Sequence, residues 1–425
     1  MRLHFFKSSS LSLVFRSLKY RNYQLYFSGQ SLSLIGTWIQ RIATPWLVYR
    51  LTGSTFLLGV VGFAGQIPTF LLAPFAGVLI DRWNRYYILI ATQILAMLQA
   101  FALAILFFLG IIKVWEIIAL SIVLGLINAF DSPTRQSLLV KLVDKKEDLG
   151  NAIALNSTMV NGARLIGPSV AGVLIAATGE GTCFFINGIS YFFVIISLLF
   201  MKIHFPPDVR KKYNVFKSLR DGFSYTFGFM PIKSIILLLA LVSLMGMPYT
   251  VLMPVFAKEI LHGGAHTFGF LMGASGVGAL VGAFFLASRK TAAGLERLLP
   301  VAAIIFGVGL ISFALSRHMA LSVMLMVVVG LGMMLQMASS NTVIQTIVDE
   351  EMRGRVMSFY TMAFMGTAPI GSLFAGSVAS LLNVPITIII GGVACIAGGI
   401  FFASKLKKLE TFIKPIYMKL GLISK

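Results

Sequence analysis

Acidic residues are scarce in this chain. Only 15 Asp and Glu stand against 35 Lys and Arg among 425 residues, and charged residues of both signs make up 12%. A soluble domain of this size needs far more polar surface, so a water-soluble globular protein is excluded. Cysteine is nearly absent: Cys183 and Cys395 both fall inside long apolar runs, which argues against a disulfide framework. There is no phosphate-binding glycine loop, no metal-ligand cluster and no hydrolytic constellation. Enzymatic activity, a metal, a cofactor and an ATP-driven motor within the chain are therefore not expected. The basic first 21 residues lack a small-residue cleavage site, so they read as a retained segment and not as a signal peptide.

What the chain has in abundance is apolar sequence, 57% of its residues. Twelve runs approach the roughly 20 residues that a membrane helix needs: about 24–48, 56–80, 86–109, 115–134, 151–177, 183–201, 234–257, 267–288, 299–316, 320–345, 357–382 and 385–403. They are continuous runs broken by Gly and Pro, not the alternating segments of a β-barrel. Nearly all Lys and Arg fall in the intervals on the side of the two termini. The opposite side holds only Arg50, Lys113, Lys258 and Arg317, while Arg41 and Arg164 lie within runs. By the positive-inside rule both termini are expected in the cytoplasm. The net charge of +20 then faces an anionic leaflet, so membrane lipids are the expected partners of the basic surface and nucleic acid is not.

The longest polar interval, Lys202 to Lys233, divides the runs six and six. Its Phe216, Leu219, Phe223 and Phe227 stand three or four apart, which predicts an amphipathic helix on the cytoplasmic surface; a disordered basic linker is the alternative. The expected organisation is an N-terminal segment 1–23, a six-helix half 24–203, a connector 204–233, a second half 234–404 and a basic tail 405–425. The halves repeat weakly: Leu34-Ile-Gly36, Gly53 and Gly59 match Leu244-Met-Gly246, Gly263 and Gly269 at one constant offset, and Val143-Asp144 matches Val348-Asp349 at a slightly shorter one. Repeated halves are common in secondary transporters, with the cargo site near the midplane.

Between the second and third runs lies Gly77-Val-Leu-Ile-Asp81-Arg82-Trp-Asn-Arg85. With twelve spans and a central connector, this turn resembles the major facilitator superfamily. Four further segments resemble the bacterial efflux branch that holds the enterobactin exporter and macrolide-efflux proteins. They are Gly36-Thr-Trp38-Ile-Gln40, Pro45-Trp46-Leu-Val-Tyr49, Asp131-Ser-Pro133-Thr-Arg135-Gln and Arg164-Leu-Ile-Gly167-Pro168. The resemblance implies an all-α integral membrane fold, twelve transmembrane helices in two six-helix halves, located in the bacterial inner membrane. It makes Gly77, Asp81, Arg82 and Arg85 an inner gate, in which Asp81 bonds to the start of the eleventh span near Met357. Asp81 and Arg85 share a face if the helix continues between them. The corresponding turn Ser288-Arg289-Lys290 lacks the Asp.

Arg164 falls near the centre of the fifth run, where a guanidinium facing lipid costs several kcal/mol, so it must face protein or a water-filled cavity. It either binds an anionic group of the cargo or acts as a pivot bonded to helix carbonyls and Asp131. Arg41 is similar but can snorkel. Gln66, Asn128, Asn161, Gln336 and Asn341 are pathway candidates, because amides in hydrocarbon need partners and a cavity supplies them. Gly167, Pro168 and Gly172 resemble, with departures, the fifth-span bend motif of proton antiporters. No Asp or Glu sits at the centre of a run, and Asp131 is the nearest candidate proton carrier unless it pairs with Arg135 one turn on.

The expected function is export of a small organic molecule, a siderophore or an amphipathic drug, by alternating access with proton antiport; the reading allows a monomer. A lysophospholipid flippase of the same fold and a non-transporting receptor or scaffold are the alternatives.

Overall fold

The structure, a computed structural model, describes residues 15–80, 83–143, 145–201, 215–289 and 291–422. It is all helical. After a 3-10 turn, Arg16–Lys19, come α1 (Arg21–Thr52), α2 (Thr55–Ile80), α3 (Arg85–Phe108), α4 (Val114–Lys141), α5 (Lys146–Thr178) and α6 (Glu180–Phe200). The connector forms α7 (Val215–Gly228). It is followed by α8 (Met230–Ile260), α9 (Ala265–Ala287), α10 (Leu295–Leu315), α11 (Met319–Ile347), α12 (Arg353–Leu381) and α13 (Val384–Lys419).

Against twelve expected spans, eleven helices among the described residues have both the length and the apolarity to cross a membrane. Helix α1 has the length, at 32 residues, but Asn22, Gln24, Gln30, Gln40 and Arg41 make it less apolar than the rest. The helices also run past their apolar cores. Helix α4 continues to Lys141, and α13 continues through the basic tail expected from residue 405.

The chain forms two compact units. One holds residues 1–44 and 71–210, the other 45–70 and 211–425, so α1 passes from the first to the second at Pro45 and α2 returns after Phe70. In the first unit the segment before α1 is pinned to the start of α5. Asp148, 2% exposed, takes an ion pair from Arg16, another from Lys19 at 2.6 Å, and a hydrogen bond from the Tyr20 hydroxyl at 2.6 Å. Those bonds raise the Lys19 ammonium and the Tyr20 phenol above their ordinary values. Tyr23 donates from one helical turn on to the Ala152 carbonyl. Beneath them Leu89, Leu138, Leu155 and Leu198 join α3, α4, α5 and α6 in one apolar cluster.

The second unit repeats this device. The Tyr225 hydroxyl, on α7, donates to Asp349 at 2.8 Å, in the turn before α12, and Asp221 pairs with Arg355 at 3.4 Å. Tyr20 and Tyr225 stand at the same offset as the Val143-Asp144 and Val348-Asp349 pair. The predicted connector helix is therefore present, with one face packed on α12: Phe223 and Phe227 lie 4.5 Å apart and both meet Phe359 edge-on. The tail is packed too. Leu409, Ile413 and Tyr417 are buried, Tyr417 donates to Glu296 at 3.2 Å, and Arg297 pairs with Glu410 at 2.6 Å.

Glycine sets how closely the helices cross. Gly36 lies against Ser190 and Asn187 of α6, and its repeat Gly246 against Phe306 of α10 and Cys395 of α13, so glycine sets the α1–α6 approach and the α8–α13 approach alike. A Cβ on Gly330 of α11 would collide with the Ser275 carbonyl of α9, and one on Gly278 with the Val327 carbonyl. Nothing lies within 4 Å of a Cβ on Gly162. Gly330→Ala should thus cost about 1–3 kcal/mol by overpacking and lower the unfolding temperature of the purified protein. Gly162→Ala, which gains helix propensity without a clash, should leave it level or raise it.

Candidate functional site

The predicted site residues fall into separate groups. On α1, Trp38 and Arg41 are three apart, so their side chains lie on one face. On α5, Gly167 meets the Trp38 Cβ so closely that any side chain there would collide with it. That contact seats α5 on the indole. Arg164, one turn back from Gly167, then reaches the same ring. The guanidinium carbons of Arg41 and Arg164 lie 4.9 Å and 5.8 Å from the Trp38 ring centroid. Both arginines stand four residues before a proline, Pro45 and Pro168, which removes the helical N–H that each arginine carbonyl would otherwise receive. Arg41 is exposed, and Trp38 and Arg164 are half-buried.

Two guanidiniums on one indole repel each other, and the ring face offsets only part of that cost. The cluster is therefore suited to an added anion. Hydrocarbon cannot solvate a guanidinium, so the Arg41 head is answered by protein, by a water-filled cavity or by snorkelling to the interface.

Asp131 belongs to a second group. Its carboxylate forms an ion pair with Arg135 and accepts hydrogen bonds from Gln93 at 2.5 Å and Thr92 at 3.2 Å. That donor set suits a charged carboxylate and clamps α3 to α4. A third group is a chain of amides: Asn187 donates to Gln40 at 2.7 Å, Gln40 to Gln99 at 3.1 Å, and Gln99 to the Leu120 carbonyl at 3.2 Å. These bonds join α6, α1, α3 and α4, so these amides hold helices together.

Other predicted residues stay apart. Gln66 and Asn161 donate to carbonyls of their own helices, those of Gly62 and Ser157. Asn341 accepts from Gln345 at 2.5 Å. Gln336 is 1% exposed, with Nε2 3.5 Å from the Ser340 hydroxyl. Asn128 is half-buried on α4, and Pro168 and Gly172 are buried within α5, which runs unbroken through the proline.

At the predicted inner gate, Gly77 lies in α2, which ends at Ile80; Asp81 and Arg82 lie outside the described residues. Trp83 and Asn84 are not helical, and the Asn84 side chain accepts the Tyr86 N–H to open α3. The helix does not run through Trp83 and Asn84, so the condition for a shared helical face between positions 81 and 85 is not met.

Known proteins place this architecture. The model of the transmembrane secretion effector family matches residues 14–416. The chain belongs to that family, within the major facilitator superfamily. It is 26% identical over 392 residues to the staphyloferrin A transporter of Staphylococcus aureus, covering 91% of this chain and 97% of that one. It is 22% identical over 405 residues to macrolide efflux protein A of Streptococcus pyogenes, covering 92% and 99%. A solved POT family transporter in complex with 5-aminolevulinic acid superposes with a TM-score of 0.74 at 11% identity, over 92% of this chain and 96% of that one, which speaks to the fold alone. The family is one of transporters, and the membrane-spanning helices of this member carry the charges described above.

Sequence reasoning singled out both arginines but quoted Trp38 only as part of a motif. The signal was there, since Trp38 to Arg41 and Arg164 to Gly167 are each one helical turn. Asp131→Asn should strand the largely buried Arg135 and cost on the order of 3 kcal/mol, while Asp131→Asn with Arg135→Gln should cost less. Thermal unfolding of the four proteins in the cycle measures the difference.

Proposed function

We propose that the chain is a secondary active exporter of a small organic anion, a siderophore or an acidic amphipathic drug, working by alternating access. The observation that carries this reading is the pair of guanidiniums, Arg41 and Arg164, on the Trp38 indole. A carboxylate or similar group placed between them relieves their mutual repulsion, and Trp38 supplies an apolar face for the rest of the molecule. Of the relatives' names, that of the siderophore transporter supports a carboxylate-bearing cargo, while that of the macrolide exporter supports export of an amphipathic molecule and not its negative charge.

In this reading the protein lies in the bacterial inner membrane with both termini cytoplasmic, its twelve helices form two six-helix halves, and the proton gradient supplies the energy. Gly77, Asp81, Arg82 and Arg85 act as the cytoplasmic gate. Asp131, held by Arg135, carries a proton only if that ion pair opens during the cycle. Gln66, Asn128, Asn161, Gln336 and Asn341 line the pathway or steady its walls, and Gly167, Pro168 and Gly172 let α5 bend.

Inside-out vesicles test the proposal. Uptake of organic anions should stop when the proton gradient is collapsed; equal uptake after collapse would sink the coupling. Arg164→Gln and Arg41→Gln should each lower anion uptake by about tenfold, the loss of one charge-assisted bond. Arg164→Lys should retain more activity than Arg164→Gln.

A further inference from the structure

Helix α11 repeats α4, and the repeat keeps an arrangement while removing its charge. At the offset of Val143-Asp144 and Val348-Asp349, Asp131 corresponds to Gln336, Thr134 to Ser339 and Arg135 to Ser340. The spacing is retained, so the ion pair of Asp131 with Arg135 becomes a neutral contact. Gln336 Nε2 lies 3.5 Å from the Ser340 hydroxyl, the outer limit of a hydrogen bond. Burial is retained too: Gln336 is 1% exposed, and Ser339 and Ser340 are completely buried.

The donors are not retained. In the first unit Thr92 and Gln93 of α3 donate to the Asp131 carboxylate. At the offset that relates the helix starts Arg85 and Leu295, their counterparts on α10 are Ala302 and Ala303. Gly309 of α10 meets Val329 of α11, and Gly332 of α11 meets the Phe306 backbone of α10, so the two helices cross closely and antiparallel. Gln336 is one turn along α11 from Gly332, and Ala302 is one turn back along α10 from Phe306, so these two stand level. Alanine offers no side-chain donor. Gln336 Oε1 and the Ser339 hydroxyl oxygen are buried with no hydrogen-bond partner among the described residues. Arg135, Thr92 and Gln93 all have smaller counterparts, so side-chain volume is lost at the level where these polar atoms are left over.

We propose that this level of the second unit is a binding site for an internal water molecule, held by Gln336, Ser339 and Ser340 between α10 and α11. An unpaired amide oxygen among apolar side chains is costly, and a water that donates to it recovers most of that cost. The water donates one hydrogen to Gln336 Oε1 and the other to the Ser340 oxygen, which Gln336 Nε2 barely reaches. It accepts the proton of the Ser339 hydroxyl. Three polar partners are what a buried water takes. The site belongs to the wall of the unit, since its unpaired polar atoms are closed to solvent. The first unit joins α3 to α4 with a charge at this level; the second joins α10 to α11 with a water. The inference stands on the repeat and the packing, whatever the cargo.

Hydroxyl-radical labelling by an X-ray pulse tests the site on the full-length protein in lipid nanodiscs. The pulse splits a bound water in place, and the radical modifies the side chain that touches it even where bulk solvent is shut out. Met333 lies one turn from Gln336 on the same face of α11. It should be oxidised several-fold faster than Met326, which is also buried and lies two turns further along the helix. Gln336→Leu removes the acceptor and should bring Met333 down to the Met326 rate. Ser339→Ala is the smaller change; it should lower the Met333 rate, and it decides the matter where Gln336→Leu does not fold. Equal rates for the two methionines in the unaltered protein would overturn the site. So would a Met333 rate that folded Gln336→Leu, or in its place Ser339→Ala, leaves unchanged, since solvent arriving from outside does not depend on these groups.

Discussion

A charge inside hydrocarbon must be answered by protein, and much of the first unit is organised around that constraint. Arg135 is answered by Asp131, which is in turn saturated by Gln93 and Thr92 from α3. Outside the apolar runs, at the start of α5, Asp148 is answered in the same way by Arg16, Lys19 and Tyr20 from the segment before α1. Each group is neutralised locally, and each costs its neighbours little once its donors are matched. The Trp38 cluster is built differently. Two like charges reach one aromatic ring there, and the ring attracts each of them through its π face. In the transport proposed above, an anion brought to this ring would meet two guanidiniums at once.

Close helix approach is the second constraint, and it explains why glycine recurs where the charges do. Gly167 brings α5 onto Trp38, which places Arg164 at the ring that Arg41 already reaches. With any larger residue at 167 the two arginines would be held further apart. Gly36 brings α1 onto α6, which closes the amide chain through Gln40, Gln99 and Asn187. The polar groups thus depend on packing that apolar positions provide. Helix association in a membrane favours this arrangement, since close backbone contact substitutes there for a hydrophobic drive.

Much of the fold was legible because membrane spans write themselves as long apolar runs. The first run was the weakest, and α1 is the helix that falls short of apolarity: Gln30, Gln40 and Arg41 serve the interior at the expense of the hydropathy signal. The helix ends were poorly legible for a related reason. Residues 135–141 and 404–419 are helical because neighbouring elements hold them, as Glu296 and Arg297 hold Tyr417 and Glu410, and not because they are apolar. The turn between the second and third runs was legible from its charges, while its end depends on a single cap, Asn84, whose side chain starts a new helix. At the candidate site the arginines were legible as charges out of place. Their meeting was not, since it depends on how closely two helices sequence-distant from each other approach. The Tyr20 and Tyr225 struts were legible only in retrospect, through an offset shared with the aspartate turns.

The two units divide the work between charge and compliance. The charges and amides inside the membrane are concentrated in the first unit, whose helices run through Pro133 and Pro168 without changing their turn. Among the described residues all three π turns lie in the second unit, at Val242–Gly246 and Phe256–Ile260 in α8 and Met362–Gly366 in α12. The first has a direct cause. Pro248 cannot donate to the Leu244 carbonyl, the helix widens just before it, and Gly371 of α12 packs directly on that carbonyl. The departures from regular turns are therefore confined, among the described residues, to α8 and α12, and the second of these is tied to α7 by the Asp221–Arg355 pair. The first unit thus holds most of the intramembrane ion pairs and amide bonds, and the second holds the turns that depart from α geometry.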